Sequence, residues 1–370
     1  MRQLLLRPEL HRFASCAEFA EAFRLGEGDL VITNRYIYEP GFGALGLGAE
    51  LVFQEDYGSG EPSDEMAQAI HAALKGGHRR VVAIGGGTVI DIAKLFALER
   101  LTPVLDLFDG KIEPRKGREL VIVPTTCGTG SEATNLSIIE LKSRGTKLGL
   151  AAEALYADHA VLVPELLEGL PYPVFATSSI DALIHAVESS VSPRATAYTK
   201  LFGHRAIELI VAGYRAIARG GPEARKPLHE DFLVASDYAG IAFGNAGCGA
   251  VHAMSYPLGA RFHVAHGEAN YALFAGVFRG YREIARDGAM AELEALLASC
   301  LGCGRDRAFD ELEALLSRVL RRRRLAEYGA TGATCAEFAE LVARTQGRLM
   351  ANNYAGLDEA RVRKIYESLL

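Results

Sequence analysis

Arg80 to Leu98 reads RVVAIGGGTVIDIAKLFAL: an apolar β-branched run, a glycine triplet, then apolar residues at helical spacing. The run predicts a buried strand, and Thr88 stands where a helix N-cap belongs. A strand turning directly into a helix is the first half of a βαβ unit, so this stretch predicts an open α/β sheet. Working outward, Asp29–Thr33 (DLVIT), Leu51–Phe53, Leu120–Val123 and Ala160–Val163 are short apolar runs bounded by turn-forming residues, expected as further parallel strands. Ser63–Lys75 is expected as a helix capped by Ser63. Ser137–Leu141 and Lys147–Ala151, around Arg144-Gly145, read as a hairpin that interrupts the alternation.

Beyond Pro171 and Pro173 the texture changes to long apolar stripes at helical spacing, so the second half is expected to be all-helical. The reading is a Rossmann-like parallel-sheet domain over residues 1–170 and an all-α domain over residues 171–370, with the active site in the cleft between them. A chain of 370 residues with 49% hydrophobic and 23% charged residues can bury two such cores. A net charge of −6, with no block of like charge long enough to form a binding tail, argues against nucleic acid and anionic membrane as partners. Arg321–Arg324 reads as a solvated helix end. The leucines near the N-terminus are cut short by Arg7 and Pro8, too few for a signal peptide, so a cytoplasmic location is expected. Six dispersed cysteines then stay reduced, and Cys300 and Cys303 read as helix-end thiols.

Two turns carry the first chemical signal. Gly85-Gly86-Gly87-Thr88 joins strand to helix, so its amides and the helix N-terminus face whatever lies beyond the strand, either as a bare tight turn or as a phosphate cradle. Pro124 to Glu132, PTTCGTGSE, again follows a buried strand and crowds hydroxyls and glycines together. Two such turns on neighbouring strands suggest a dinucleotide. The second signal lies in the helical half. Asp181 and His185 sit one turn apart on a helix face, as either a hydrogen-bonded pair or a metal site. Val251 to Glu268, VHAMSYPLGARFHVAHGE, adds His252, His263 and His266. Three imidazoles with one carboxylate suit a catalytic divalent iron or zinc ion, and no cysteine ligand points to closed structural zinc.

GGGTVIDIAK, PTTCGTGSE, DALIH and the spacing of His252 from His266 together resemble the iron-containing (group III) alcohol dehydrogenase family, in the family's order, from Asp29 to about Tyr271. The resemblance implies metal ligands at Asp181, His185, His252 and His266. It implies cofactor contacts at Gly85, Gly86, Gly87, Thr88 and Asp91, and at Thr125, Thr126, Thr129 and Ser131. Within the family, TNRYIYEP, FQEDYGSGEPSDE and FHVAHGE are similar to the subgroup that oxidises a short ω-hydroxy acid such as 4-hydroxybutyrate. Tyr256 stands where many members carry a further histidine, and His263 either supplies that proton relay or packs. Lys147 matches a lysine often near the active site, or is an exposed hairpin charge.

The implied activity is an NAD(P)-linked alcohol/aldehyde oxidoreductase with Fe2+ or Zn2+, working as a homo-oligomer on a small-molecule substrate. Other readings are a family member acting on a neutral alcohol or diol, a lyase related to dehydroquinate synthase, and a nucleotide-sensing module without turnover. Asn34 stands near where relatives place an acid against the adenosine ribose. Arg35 beside it is able to attract a 2′-phosphate, so NADP stays open while the resemblance favours NAD. A substrate carboxylate needs a cation, and Arg261, between His252 and His266, is the expected clamp unless it faces solvent or pairs with an acid; Lys147 and Arg194 are the alternatives.

Overall fold

The computed structural model describes residues Arg2–Leu370, which form two compact units: Leu6–Leu170, and Pro171–Leu370 joined by the N-terminal residues up to Leu5. Leu5 exchanges two backbone hydrogen bonds with the Asn245 amide, which ties that terminus to the helical unit.

The first unit contains β1 (Glu9–Arg12), β2 (Asp29–Thr33), β3 (Glu50–Phe53), β4 (Arg80–Gly85), β5 (Glu119–Pro124), the hairpin strands β6 (Leu136–Leu141) and β7 (Thr146–Ala151), and β8 (His159–Leu162). Six of them form one parallel sheet in the order β1-β8-β5-β4-β2-β3. Alternate residues of the central strands feed opposite cores. Leu30, Ile32, Val81, Ala83, Leu120 and Ile122 pack on one face, and Val31, Val82, Ile84, Val121, Val123 and Val161 on the other. Burial on both faces is why these strands read as continuous apolar runs rather than as alternation. The expected strands and the hairpin are all present. The strand absent from the sequence reading is β1: as an edge strand with mostly exposed residues, its segment ELHR carries no apolar signal.

Helix α1 (Asp64–Ala73) begins at Ser63, whose hydroxyl accepts the Met66 N–H, as expected. Helix α2 (Gly87–Phe96) begins earlier than the sequence suggests. Gly86 is its N-cap, and the Thr88 hydroxyl instead donates to the Gly60 carbonyl at 3.2 Å. The turn is tight enough that the glycine triplet already supplies the cap and first helical residue, leaving Thr88 inside the first turn.

The second unit is helical. Its centre is α3 (Tyr172–Val191), of which residues 179–191 are all buried. Around it pack α4 (Ala197–Gly220) and α5 (His229–Ala246); α6 (Ala250–Phe262) lies against α7 (His266–Ile284), which also packs on α3. A helix enclosed on all sides needs apolar residues all round it, and Ile180, Ala182, Leu183, Ile184, Ala186 and Val187 meet that need. No described helix is long and apolar enough to cross a membrane.

Gly85 marks how closely α2 leaves β4: a Cβ there would lie 2.5 Å from the Val89 Cβ, whereas one on Gly86 would meet only the Thr126 side chain at 3.5 Å. Gly85→Ala is therefore expected to destabilise the protein by about 1–3 kcal/mol through overpacking, while Gly86→Ala stays within about 0.5 kcal/mol. Urea denaturation midpoints of the two variants check this, and equal midpoints would contradict the close-approach argument.

Candidate metal centre and cofactor turns

Asp181 and His185 project from the buried middle of α3, His252 from the first turn of α6, and His266 from the first residue of α7. One donor atom from each lies within 4.8 Å of the others. The approach of α7 to α3 depends on Gly267, where a Cβ would meet the Thr177 carbonyl oxygen at 2.5 Å. Glycine directly after His266 therefore brings that imidazole against α3. The His185 ring is clamped between Phe243, at 4.2 Å between centroids, and His252, at 4.7 Å.

A carboxylate that the sequence reading passed over organises the group. Glu188, one turn beyond His185, accepts the Val251 N–H at 2.8 Å and the His252 Nδ1–H at 2.5 Å. It thus satisfies an N-terminal amide of α6 and turns the His252 Nε2 lone pair towards Asp181. The available signal was a third polar residue, seven positions after Asp181, on the same face of an apolar helix. A second missed residue is Asn270, one turn after His266. Its Nδ2 lies 2.7 Å from Asp181 Oδ1 and 3.2 Å from both His252 Nε2 and His266 Nε2, three acceptors for two amide hydrogens. Asn270 Oδ1 is buried without a hydrogen-bond partner.

Such convergence of lone pairs calls for a cation. Three imidazole nitrogens and one carboxylate oxygen in a buried site match the donor preference of divalent iron or zinc. Burial alone would raise the Asp181 carboxyl, but His185, His266 and His252 around it, with the Asn270 amide, hold it below the ordinary carboxylate range. Tyr256 lies beside the group, its ring 6.1 Å from that of His266, and burial raises its phenol above the ordinary value.

The remaining expected residues of this unit fall elsewhere. Arg261, expected to clamp a substrate carboxylate, is half-exposed and paired with Glu337 of the helix Gly332–Thr345, its guanidinium also over Phe338. A protein carboxylate already holds that cation. Arg194 is exposed and donates to the Asn245 carbonyl. His263 forms the left-handed C-cap of α6 at φ 54°, a conformation that costs a non-glycine residue energy.

In the first unit the two turns lie side by side at the carboxyl ends of β4 and β5, with Gly85 opposite Pro124 and the Thr125 N–H donating to the Gly85 carbonyl. Gly86 and Gly87 face the Thr126 and Thr129 side chains across the gap. Gly86, Gly87, Thr88, Thr126 and Thr129 keep some exposure, whereas Gly85, Thr125 and Ser131 are buried. Asp91 and Ser131 bond to each other, and Asp91 also accepts the Ile138 N–H. Beneath them the fully buried Lys94 ammonium donates to Ser131, Thr134 and the Leu136 carbonyl. Burial pushes Lys94 down to about 8 against the pull of Asp91 and Glu132. Asp91 and Ser131 thus hold the second turn onto α2. Lys147 lies exposed on β7 and pairs with Glu61 at 3.1 Å.

At the end of β2, the Asn34 amide donates to Gln54 at 3.1 Å and Glu55 at 2.8 Å. The Arg35 N–H donates to Glu55, and its guanidinium pairs with Asp56 at 2.6 Å over the Phe53 ring. Glu55 is a carboxylate that β3 delivers to the neighbouring strand end, and these donors hold it below its ordinary range although burial opposes them.

Comparison with known proteins agrees across the chain. A family model described as iron-containing alcohol dehydrogenase matches residues 15–164, and one described as the Fe-containing alcohol dehydrogenase family, C-terminal, matches residues 175–370. Over 370 residues, all of both chains, the sequence is 48% identical to 4-hydroxybutyrate dehydrogenase of Clostridium kluyveri. It is 38% identical over 225 residues to long-chain-alcohol dehydrogenase 1 of Geobacillus thermodenitrificans, covering 60% of this chain and 56% of that one. The crystal structure of sulfoacetaldehyde reductase from Bifidobacterium kashiwanohense in complex with NAD+ superposes with a TM-score of 0.86 at 21% identity, over 100% of this chain and 98% of that one, which shows a shared fold. Sequence, fold and the clustering of three histidines with one aspartate converge: the chain is an oxidoreductase of the iron-containing alcohol dehydrogenase family.

Proposed function

We propose that this protein interconverts 4-hydroxybutyrate and succinic semialdehyde with NAD, using Fe2+ held by Asp181, His185, His252 and His266. The observation that carries the reading is the 48% identity to 4-hydroxybutyrate dehydrogenase over the whole of both chains. When bound, the iron supplies Lewis acidity to a substrate oxygen, and the nicotinamide supplies the hydride acceptor. Glu188 keeps His252 in the tautomer that offers Nε2. Tyr256, protonated at neutral pH because burial raises its phenol, offers an O–H beside His266 in place of the histidine of many relatives. The exposed amides of Gly86 and Gly87 at the start of α2 hold the pyrophosphate. All six cysteines are free, which supports a reducing, cytoplasmic location.

Arg348 replaces Arg261 as the cation for the substrate carboxylate. It is exposed on the short helix Gly347–Met350, which packs on α6, the helix of Tyr256, and it has no carboxylate partner among the described residues. A charge-assisted contact contributes roughly 1.5–3 kcal/mol, so Arg348→Ala should lower kcat/KM for 4-hydroxybutyrate by on the order of 10- to 100-fold while sparing 1-butanol. Equal losses on both substrates would remove the clamp.

Iron-loaded enzyme should form NADH from 4-hydroxybutyrate, and Asp181→Ala or His266→Ala should abolish both bound iron and turnover. Retention of both would refute the metal assignment, and turnover of neutral diols without 4-hydroxybutyrate would refute the substrate. Glu188→Gln, measured by iron titration, should weaken iron binding on the order of 10- to 100-fold, as loss of an outer carboxylate does; unchanged affinity would leave Glu188 a structural cap alone.

Cofactor choice is set by Glu55 and Asp56. Glu55 supplies the negative charge that Asn34 lacks, and Asp56 neutralises the guanidinium that would greet a 2′-phosphate. The wild type should prefer NAD, and Glu55→Gln with Asp56→Asn should raise the kcat/KM ratio of NADP to NAD at least about tenfold. A ratio that the double variant leaves unmoved would place the selectivity elsewhere.

A further inference from the structure

The parallel sheet has a second chemical edge. Its carboxyl end bears the glycine turns, while its amino end gathers Glu9 and His11 from β1, His159 from β8 and Glu119 from β5. Glu9 is in register with His159, so Glu9, His159 and, two residues on, His11 project from one face of the paired strands.

Their donor atoms form a compact triangle. His11 Nε2 lies 3.0 Å from His159 Nδ1, and Glu9 Oε2 lies 3.4 Å from His159 Nδ1 and 3.6 Å from His11 Nε2. A tetrahedral zinc ion with bonds of about 2.0–2.1 Å separates its ligands by about 3.3 Å, the middle of this range. The two imidazoles are held by one ring. Phe23 meets His11 edge-on at 5.2 Å and 85°, and His159 at 5.3 Å and 86°. The far nitrogen of His159, Nε2, lies 3.6 Å from the Glu119 carboxylate, beyond hydrogen-bond reach. The side chains of His11 and His159 are 29% and 23% exposed, so the site opens to solvent and leaves a fourth position for water.

We propose that Glu9, His11 and His159 form a second divalent-metal site of the zinc class on the amino edge of the sheet, separate from the four-donor centre of the helical unit. A metal there joins the edge strand β1 to β8, residues about 150 apart in sequence, and therefore stabilises the first unit by binding only its folded form.

The test is calorimetric titration of chelator-stripped full-length protein with Zn2+, with elemental analysis and thermal unfolding alongside. The wild type is expected to bind two equivalents and Asp181→Ala one. Asp181→Ala combined with His159→Ala should bind none, and Zn2+ should raise Tm for Asp181→Ala but not for that double variant. His11→Ala and His159→Ala should keep the remaining equivalent and the dehydrogenase activity. A second equivalent that survives both histidine substitutions, or a wild type that binds only one, overturns the site; neither result touches the assignment of Asp181, His185, His252 and His266.

Discussion

The hydrogen bonds of Glu188 are the interaction on which the proposed metal centre depends. One buried carboxylate accepts the backbone N–H of Val251 and the imidazole N–H of His252, so the start of α6 and the orientation of a ligand are fixed by the same two oxygens. An unpaired anion in this interior would be costly, and so would an uncapped helix start. Each satisfies the other. Because Glu188 also belongs to the helix that carries Asp181 and His185, the spacing of three polar residues along α3 sets the positions of both a ligand pair and its support.

The sheet solves a different problem with the same economy of residues. Parallel strands buried on both faces leave only their ends for chemistry, and in this chain the carboxyl ends of β4 and β5 carry glycines and small hydroxyls. Gly85 lets α2 leave β4 at close quarters, and Lys94 with Asp91 and Ser131 anchors the second turn from below. The partly exposed glycines and threonines above are therefore held on a hydrogen-bonded base, which suits the proposed cofactor site.

Much of this was legible in the linear chain. β-branched runs of five or six residues and a glycine triplet before a 3.6-residue pattern can hardly form anything but a βαβ layer, and β2, β4 and β5 form where those runs lie. The donors that cluster were legible as residue types, histidines in an apolar stretch, although His263 of the same stretch turned out to cap α6. β1 was not, because an exposed edge strand shows no apolar alternation, and the start of α2 shifted because the glycines themselves complete the cap.

What the sequence by itself determined is the set of elements and the inventory of donors, since periodicity and residue type are local properties. Which donors meet was decided by tertiary structure. Glu188 reaches His252 across 64 positions and Asn270 reaches Asp181 across 89, distances over which no periodicity carries information. The fate of the cations was decided in the same way. Arg261 has Glu337 and Arg35 has Asp56, each brought by another element, so their roles follow from partners that only packing could supply. A side chain's type states what it is able to do; its neighbours, chosen by the burial of apolar surface elsewhere, determine whether it is free to do it.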